Sequence, residues 1–196
     1  MRLAIADPPY PPFCGVSRKV RASRWYGSGQ LAKDDVPADV HPNAAVWDDP
    51  ARHRELLMDL VRDYDGWAIA TTPDGIAAYG ELPAPVRLLA WVRPSSQPGA
   101  HVLQSRWEAV ILFPPDGRRS NRNGRGCVPD ALIAAAPRNG FIGAKPREWT
   151  TWVLDALSYD PAVDTVTDIF PGSGAVAAEI AQLRLPITGA AGTVDE

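Results

Sequence analysis

Residues 7–10, Asp-Pro-Pro-Tyr, place a carboxylate, two rigid prolines and an aromatic ring directly after the apolar run LAIA at 3–6. A carboxylate fixed at the end of a strand can accept hydrogen bonds from a reacting group or lend it negative charge. The prolines restrict φ and stiffen the loop that carries it. The same four residues also read as a turn that stops a strand, with Tyr10 packing. A second candidate lies near the other end, where DIFPGSG at 168–174 precedes the helical run AVAAEIAQL. In a strand–Gly-x-Gly–helix unit the backbone can approach a ligand closely, and the helix start offers free N–H groups. A tight βα turn has the same pattern, so the unit alone leaves both readings open. It is neither GxGxxG nor a P-loop, because no Gly-Lys-Ser/Thr follows, and this disfavours nucleoside triphosphates and ordinary dinucleotides. Cys14 and Cys127 form no CxxC, and with three scattered histidines they make no metal-ligand set.

The elements that must position these residues read as an α/β chain. Its 196 residues suit a single domain over 1–196, and 45% hydrophobic with 22% charged residues suits a soluble core-forming protein. No long apolar segment suggests a signal peptide or a membrane span, so a cytoplasmic location is expected. Residues 2–6 predict a buried strand. From Pro50, Leu56, Leu57, Leu60 and Val61 predict one apolar face of a helix that ends at Gly66. Trp67–Thr71 predicts a second strand closed by a Pro-Asp-Gly turn, and IAAYGEL a short helix. VRLLAWVRP and RWEAVILFP predict a hairpin. A short helix is expected at DALIAAA, inside a long loop over 114–144; the other long loop spans 14–49. PREWTTWVLDALSYD predicts a helix with Trp149, Trp152, Val153, Ala156 and Leu157 available for burial. DTVTDIF predicts a strand, and the tail PITGAAGTVDE carries no element. Such alternation argues for a mainly parallel sheet.

Taken together, DPPY, the GAKPREW that opens a helix, and DIFPGSG resemble the S-adenosylmethionine-dependent DNA amino-methyltransferases, adenine-specific and of the small phage and prophage type. DPPY is similar to the catalytic motif IV of that family, Lys145-Pro146 to part of motif X, and FPGSG to the cofactor turn of motif I. Their order along the chain is similar to the β-class arrangement, and LLAWVRP and EAVILF are similar to the strand pair often found between motifs IV and X. The resemblance implies a Rossmann-like class I methyltransferase sheet with helices on both faces and a circularly permuted motif order. Only one helix and a short tail follow the glycine turn, so the last strands of the usual seven are expected to be missing. The resemblance also implies that S-adenosylmethionine is the cofactor, held by Ala6, Lys145, Pro146, Asp168, Phe170, Gly172, Ser173 and Gly174. Asp7, Pro8, Pro9 and Tyr10 would be the catalytic residues. Asp7 and the Pro8 carbonyl would accept the two hydrogens of the adenine amine, Pro9 would stiffen the loop, and Tyr10 would stack on the flipped base.

The net charge of −3 does not advertise nucleic-acid binding, so two local basic stretches carry that expectation. The first, at 14–30, holds Arg18, Lys19, Arg21 and Arg24 beside Trp25. It follows directly on DPPY and is expected at the mouth of the site. The second, at 117–126, holds Arg118, Arg119, Arg122 and Arg125 among glycines and asparagines. DNA is the expected partner, with RNA as an alternative and a homodimer as one way to complete a shortened cofactor site. Other readings are methylation of the cytosine amine, protein glutamine methylation (which normally places the cofactor motif first), and a non-catalytic DNA-binding module of the same fold.

Overall fold

The computed structural model describes residues 1–11, 44–94, 105–118, 126–137, 143–172 and 174–184. Six strands, β1 (Arg2–Ala6), β2 (Gly66–Thr71), β3 (Arg87–Val92), β4 (Trp107–Phe113), β5 (Ala131–Ile133) and β6 (Thr165–Asp168), form one sheet. Its order is β5-β3-β4-β2-β1-β6. β1 runs parallel to both β2 and β6, and β5 runs parallel to β3. β4 is antiparallel to both β2 and β3, so the sheet is mixed rather than mainly parallel. The reversal follows from the hairpin: β3 and β4 pair antiparallel, which carries β4 back beside β2.

Alternation along each strand builds two cores. Leu3 and Ile5 of β1, Ala68 and Ala70 of β2, Leu89 and Trp91 of β3, and Val110 and Leu112 of β4 face one side. Ala4, Ala6, Trp67, Ile69 and Ile111 face the other. Strands buried on both faces must be apolar at every position, which is why RLAIA and GWAIAT lack a polar alternation.

Helix α1 (Pro50–Asp63) covers the second face with Leu56, Leu57 and Leu60. The carboxylate of Asp49 caps it by accepting from the Ala51 N–H at 2.9 Å, and Pro50 occupies its first turn, where no donor is missed. The buried stripe is His53, Leu56, Leu57 and Leu60, at i, i+3, i+4 and i+7. Val61 was expected in it but stands one position further round and is 48% exposed. Helices α2 (Arg147–Ala156) and α3 (Ala175–Leu183) cover the first face, so helices lie on both sides of the sheet. From α2 and its end, Trp149, Trp152, Val153, Leu154 and Leu157 are buried, while Ala156 is half-buried. Glu179 of α3 ties the two helices, accepting from Arg147 Nε at 2.6 Å and from the Thr151 hydroxyl at 3.0 Å.

Two expected helices take other forms. IAAYGEL joins a 3-10 helix at Asp74–Tyr79 that starts within the Pro-Asp-Gly turn itself and ends at Gly80. DALIAAA is not helical: Ala131–Ile133 is strand β5. Its neighbours donate and accept along the edge of β3, Ala90 N–H to Asp130 O at 2.9 Å and Ala134 N–H to Val92 O at 3.2 Å. An open sheet edge offers those bonds at once, and a seven-residue run stopped by Pro137 is too short to hold a helix by itself. The two long loops are expected over 14–49 and 114–144, but the chain over 44–48 is a 3-10 helix, Ala44–Asp48. Residues 12–43, 119–125 and 185–196 lie outside the described residues.

The start of β6 is anchored by Asp164, whose side chain is fully buried. It accepts from the Met1 amine at 2.8 Å, from the Asp160 N–H at 2.8 Å and from both guanidinium nitrogens of Arg118. Burial alone would raise its carboxyl, but these donors, Arg118 first, hold it at about 2. A depressed carboxyl stabilises the fold above its unfolded value and loses that contribution as pH falls toward 2. Asp164→Asn is therefore expected to lower the unfolding free energy at neutral pH by about 2 kcal/mol. The variant should also lose part of the wild-type fall in stability between about pH 4 and pH 2, read by denaturant titration across that range.

Candidate functional site

Strands β1 and β6 come from opposite ends of the chain and lie side by side, with Ile5 registered against Asp168. The Ile169 N–H donates to Ile5 O at 2.9 Å, continuing the ladder past the last residue of β6. DPPY and DIFPGSG therefore leave the sheet together, at the carboxyl ends of neighbouring parallel strands. β1 also pairs with β2 on its other side, so successive connections diverge here. Open α/β sheets form their ligand crevice at such a switch point.

Asp7 follows β1 on the face covered by α2. Its two carboxylate oxygens accept from the Lys145 ammonium at 2.9 and 2.7 Å. Lys145 is 8% exposed, so it is not the solvated lysine that its place beside a helix start allows. The ammonium also donates to the Tyr10 hydroxyl at 2.9 Å and to Gly143 O at 3.0 Å. It lies 5.3, 5.9 and 5.8 Å from the ring centres of Tyr10, Trp91 and Trp149. A desolvated ammonium among aromatic faces is held by ring quadrupoles as well as by carboxylate. Pro146 has extended backbone and caps α2 without a side-chain bond, which sets Lys145 just before the helix and turned back toward β1.

The Tyr10 hydroxyl in turn donates to Glu108 Oε2 at 2.5 Å. Glu108 sits on β4, 3.5 Å from the Lys145 ammonium, and its other oxygen accepts from Arg93 Nη1 at 3.2 Å. Sequence reasoning missed Glu108, Arg93, Trp91 and Trp149 as site residues, treating them only as parts of strands and a helix. A signal was present: Glu108 is the lone acid in WEAVILF, directly across from Trp91.

Burial pushes the Asp7 carboxyl above its ordinary value, with Lys145 pulling it back and Glu108 pushing it further up. Asp168 is likewise raised, first by burial and further by the charge of Asp7, while a backbone hydrogen bond at Phe170 opposes. One oxygen of Asp168, Oδ2, is buried and has no hydrogen-bond partner among the described residues. Such an acceptor is expensive to leave unmet, and it suits a ligand that brings a donor.

Beyond Asp168, Gly172 and Gly174 have φ of 40° and 75°, which an L side chain rarely adopts. No side chain caps α3, and a Cβ at Gly174 would meet no described atom within 4 Å. At Gly174 the backbone is therefore uncovered by any described side chain. Phe170 leans the other way, edge-on to Trp47 at 5.0 Å, in a cluster that continues to His53 and Tyr79. Ala6 and Pro8 are buried beneath the site and Pro9 is half-buried. Asp168, Gly172 and Gly174 are open to a ligand that brings a donor to Asp168, whereas Ala6 is fully buried and Phe170 packs into the opposite core. Lys145 and Pro146 stand across from the glycine turn, on the Asp7 side.

Of the expected nucleic-acid residues, Arg118 is the one among the described residues. Arg118 leaves the end of β4 that pairs with the start of β2, so it lies at the far end of the sheet from Asp7. Its guanidinium is paired with Asp164 and donates to Ser158 O at 3.1 Å. A groove of about 1070 Å³ opens there, lined by Leu89, Leu112, Arg118, Asp130 and Tyr159, and it contains none of the DPPY or glycine-turn residues. Arg18, Lys19, Arg21, Arg24, Trp25, Arg119, Arg122, Arg125 and Ser173 lie outside the described residues, as does Cys14. Among the described residues no group of His, Cys, Asp and Glu could hold a metal ion, and no helix is long and apolar enough to cross a membrane. Compared with known proteins, the chain matches no family model and no curated protein.

Proposed function

We propose that this protein methylates the exocyclic amine of adenine in DNA, with S-adenosylmethionine as methyl donor, on a Rossmann-like methyltransferase sheet with permuted motif order. The observation that carries the reading is the meeting of DPPY and DIFPGSG at the carboxyl ends of adjacent parallel strands, although 160 residues lie between Asp7 and Asp168 in the chain. Direct transfer needs a donor site and an acceptor site within reach of each other, and this juxtaposition supplies both. When bound, the cofactor supplies an electrophilic methyl group on a sulfonium.

The chain's own residues do the rest. Asp7 accepts a hydrogen of the adenine amine and offsets the positive charge that develops on nitrogen. Lys145 fixes the rotamer of Asp7 from one side and favours its ionised form against burial. Two carboxylate oxygens offer about four acceptor sites, more than Lys145 and Tyr10 take up. The Pro8 carbonyl accepts the second hydrogen, Pro9 stiffens the loop, and the Tyr10 ring stacks on the extruded base. Asp168 and the backbone at Gly172 and Gly174 hold the cofactor. With β6 at the edge of the sheet among the described residues, the outer side of that site is open, or is completed by a second copy of the chain. Arg18, Lys19, Arg21 and Arg24, which follow DPPY in sequence, provide phosphate contacts; Arg118, paired with Asp164, is left out of that role.

Incubation with labelled S-adenosylmethionine and unmethylated duplex, followed by base analysis, is expected to give methylated adenine. Methylated cytosine, or label in RNA or protein alone, would overturn the substrate. Calorimetry that finds no cofactor binding would favour a non-catalytic DNA-binding protein. Asp7→Asn should lower kcat/KM by about 100-fold or more while leaving cofactor affinity within about twofold. Because Asp7 must be ionised to act and its carboxyl is raised, the wild-type kcat/KM should fall on acidification through an apparent pKa above the ordinary aspartate value. That limb should be absent in the residual activity of Asp7→Asn.

Changing Arg18, Lys19, Arg21 and Arg24 to glutamine should weaken DNA binding and flatten its dependence on log salt by about 3 to 4 units of slope. An unchanged slope, measured by titration at several salt concentrations, would remove that stretch from the interface.

A further inference from the structure

Tyr10 carries a hydroxyl that base stacking does not require, and that hydroxyl is gripped from both sides. It accepts from Lys145 at 2.9 Å and donates to Glu108 Oε2 at 2.5 Å. Glu108 is itself held, since its second oxygen accepts from Arg93 Nη1 at 3.2 Å, and its side chain is only 12% exposed. Arg93 is fixed in turn by donating to Ser105 O at 3.0 Å, within the base of the β3–β4 hairpin. The bonds form one chain, Arg93–Glu108–Tyr10–Lys145–Asp7, which runs from the hairpin to the end of β1.

The carboxylate of Glu108 stands where a buried acid needs a reason. A glutamate in an otherwise apolar strand gives up hydration, and here it recovers that loss through two charge-assisted bonds. A purely structural partner for Arg93 would need only one of its oxygens. The second is aimed at the phenol of the DPPY tyrosine. The Tyr10 hydroxyl is held by the Glu108 carboxylate and the Lys145 ammonium and also engages Asp7, which leaves its ring little freedom. Lys145 is then shared among Asp7, Tyr10 and Gly143, with Glu108 nearby at 3.5 Å, so any shift of Tyr10 is felt at Asp7.

We infer that Glu108 is a positioning residue, which holds the Tyr10 ring through its hydroxyl and so keeps ring and Asp7 carboxylate in one fixed relation to the target base. The inference rests on the methyltransferase reading. It gives the hairpin a task beyond completing the sheet, because Glu108 and Arg93 connect its base to the reacting end of β1. The groups facing this chain of bonds are Asp7 and Tyr10 after β1, Arg93 after β3, Glu108 on β4, Lys145 before α2, and Asp168 on β6, which feels the charge of Asp7.

A double-mutant cycle tests it. Tyr10→Phe keeps the ring and removes only the hydroxyl, while Glu108→Ala removes the acceptor. Each is expected to lower kcat/KM by about 10-fold to 100-fold. The double variant should lose no more than the worse single variant, because both cut the same link. Glu108→Gln, which keeps an acceptor oxygen, should recover most of the loss, and cofactor affinity by calorimetry should stay within about twofold throughout. Losses that multiply in the double variant, full activity in Glu108→Ala, or a Glu108→Gln no better than Glu108→Ala would overturn the inference. If Glu108→Ala does not fold, the cycle is run with Glu108→Leu, which removes the acceptor while keeping the side-chain volume. A wild-type protein that transfers no methyl group to DNA overturns the proposed function instead. The same cycle read on unfolding free energy then still decides whether Glu108 holds Tyr10.

Discussion

The ammonium of Lys145 organises the carboxyl end of this sheet. Taking a lysine out of water costs several kcal/mol unless its charge and its three N–H donors are met. Here the donors meet both oxygens of Asp7, the Tyr10 hydroxyl and the Gly143 carbonyl, and three aromatic rings enclose the charge. Those partners come from the loop after β1, from β3, from the segment before α2 and from α2 itself. None could move independently without exposing the ammonium or leaving it unpaired. One buried cation thus joins the first strand of the chain to its second long helix, and turns a proline-rich loop into a fixed object.

That arrangement depends on where the sheet puts β1. Flanked by parallel partners on both sides, β1 is buried on both faces, and the chain emerging from it is rooted in the most confined part of the fold. β6 is a different kind of neighbour. It is four residues long, lies at an edge among the described residues, and has Thr165 and Thr167 exposed. Its start is compensated electrostatically by the fully buried Asp164 and its ring of donors rather than by apolar packing. The sheet therefore carries a rigid acid-bearing strand beside a short one anchored by charge. The glycine turn follows the short one.

What the sequence made legible divides along physical lines. Patterns that bury a continuous face could be read directly: β1, β2, the hairpin, α1, α2 and β6 all lie where continuous apolar runs, alternation or 3.6-residue spacing put them. Elements that owe their form to a neighbour could not. DALIAAA has good local helix propensity, yet it becomes β5 because the edge of β3 was left open. Val61 looks like a core residue until the helix phase is fixed by His53, whose burial no apolar pattern would include. The same split holds at the site. DPPY and FPGSG stood out because their composition is unusual on a short stretch of chain. Glu108 and Arg93 acquire meaning only when two strands are paired, and Arg118 changes meaning for the same reason. It reads as a free cation in a basic loop, whereas pairing β4 with β2 puts it over Asp164.

The electrostatics of the assembled site suggest why its parts are so tightly tied. Among the described residues, three carboxylates, Asp7, Glu108 and Asp168, meet here with two cations, Lys145 and Arg93. Lys145 and Arg93 are both engaged with Asp7 and Glu108, so the excess acid falls on Asp168. Burial and the charge of Asp7 both resist ionisation there, and one of its oxygens lacks a donor. Counted over the described residues, such a site is short of one positive charge and one hydrogen-bond donor. Placing a cationic ligand with an N–H donor against the glycine turn would supply both, and the gain would be largest with Asp7 ionised. Under the proposed function, readiness of Asp7 to receive the amine and readiness of Asp168 to hold the methyl donor are therefore coupled through the charge between them. Lys145 restrains that coupling by keeping Asp7 from competing for the incoming cation.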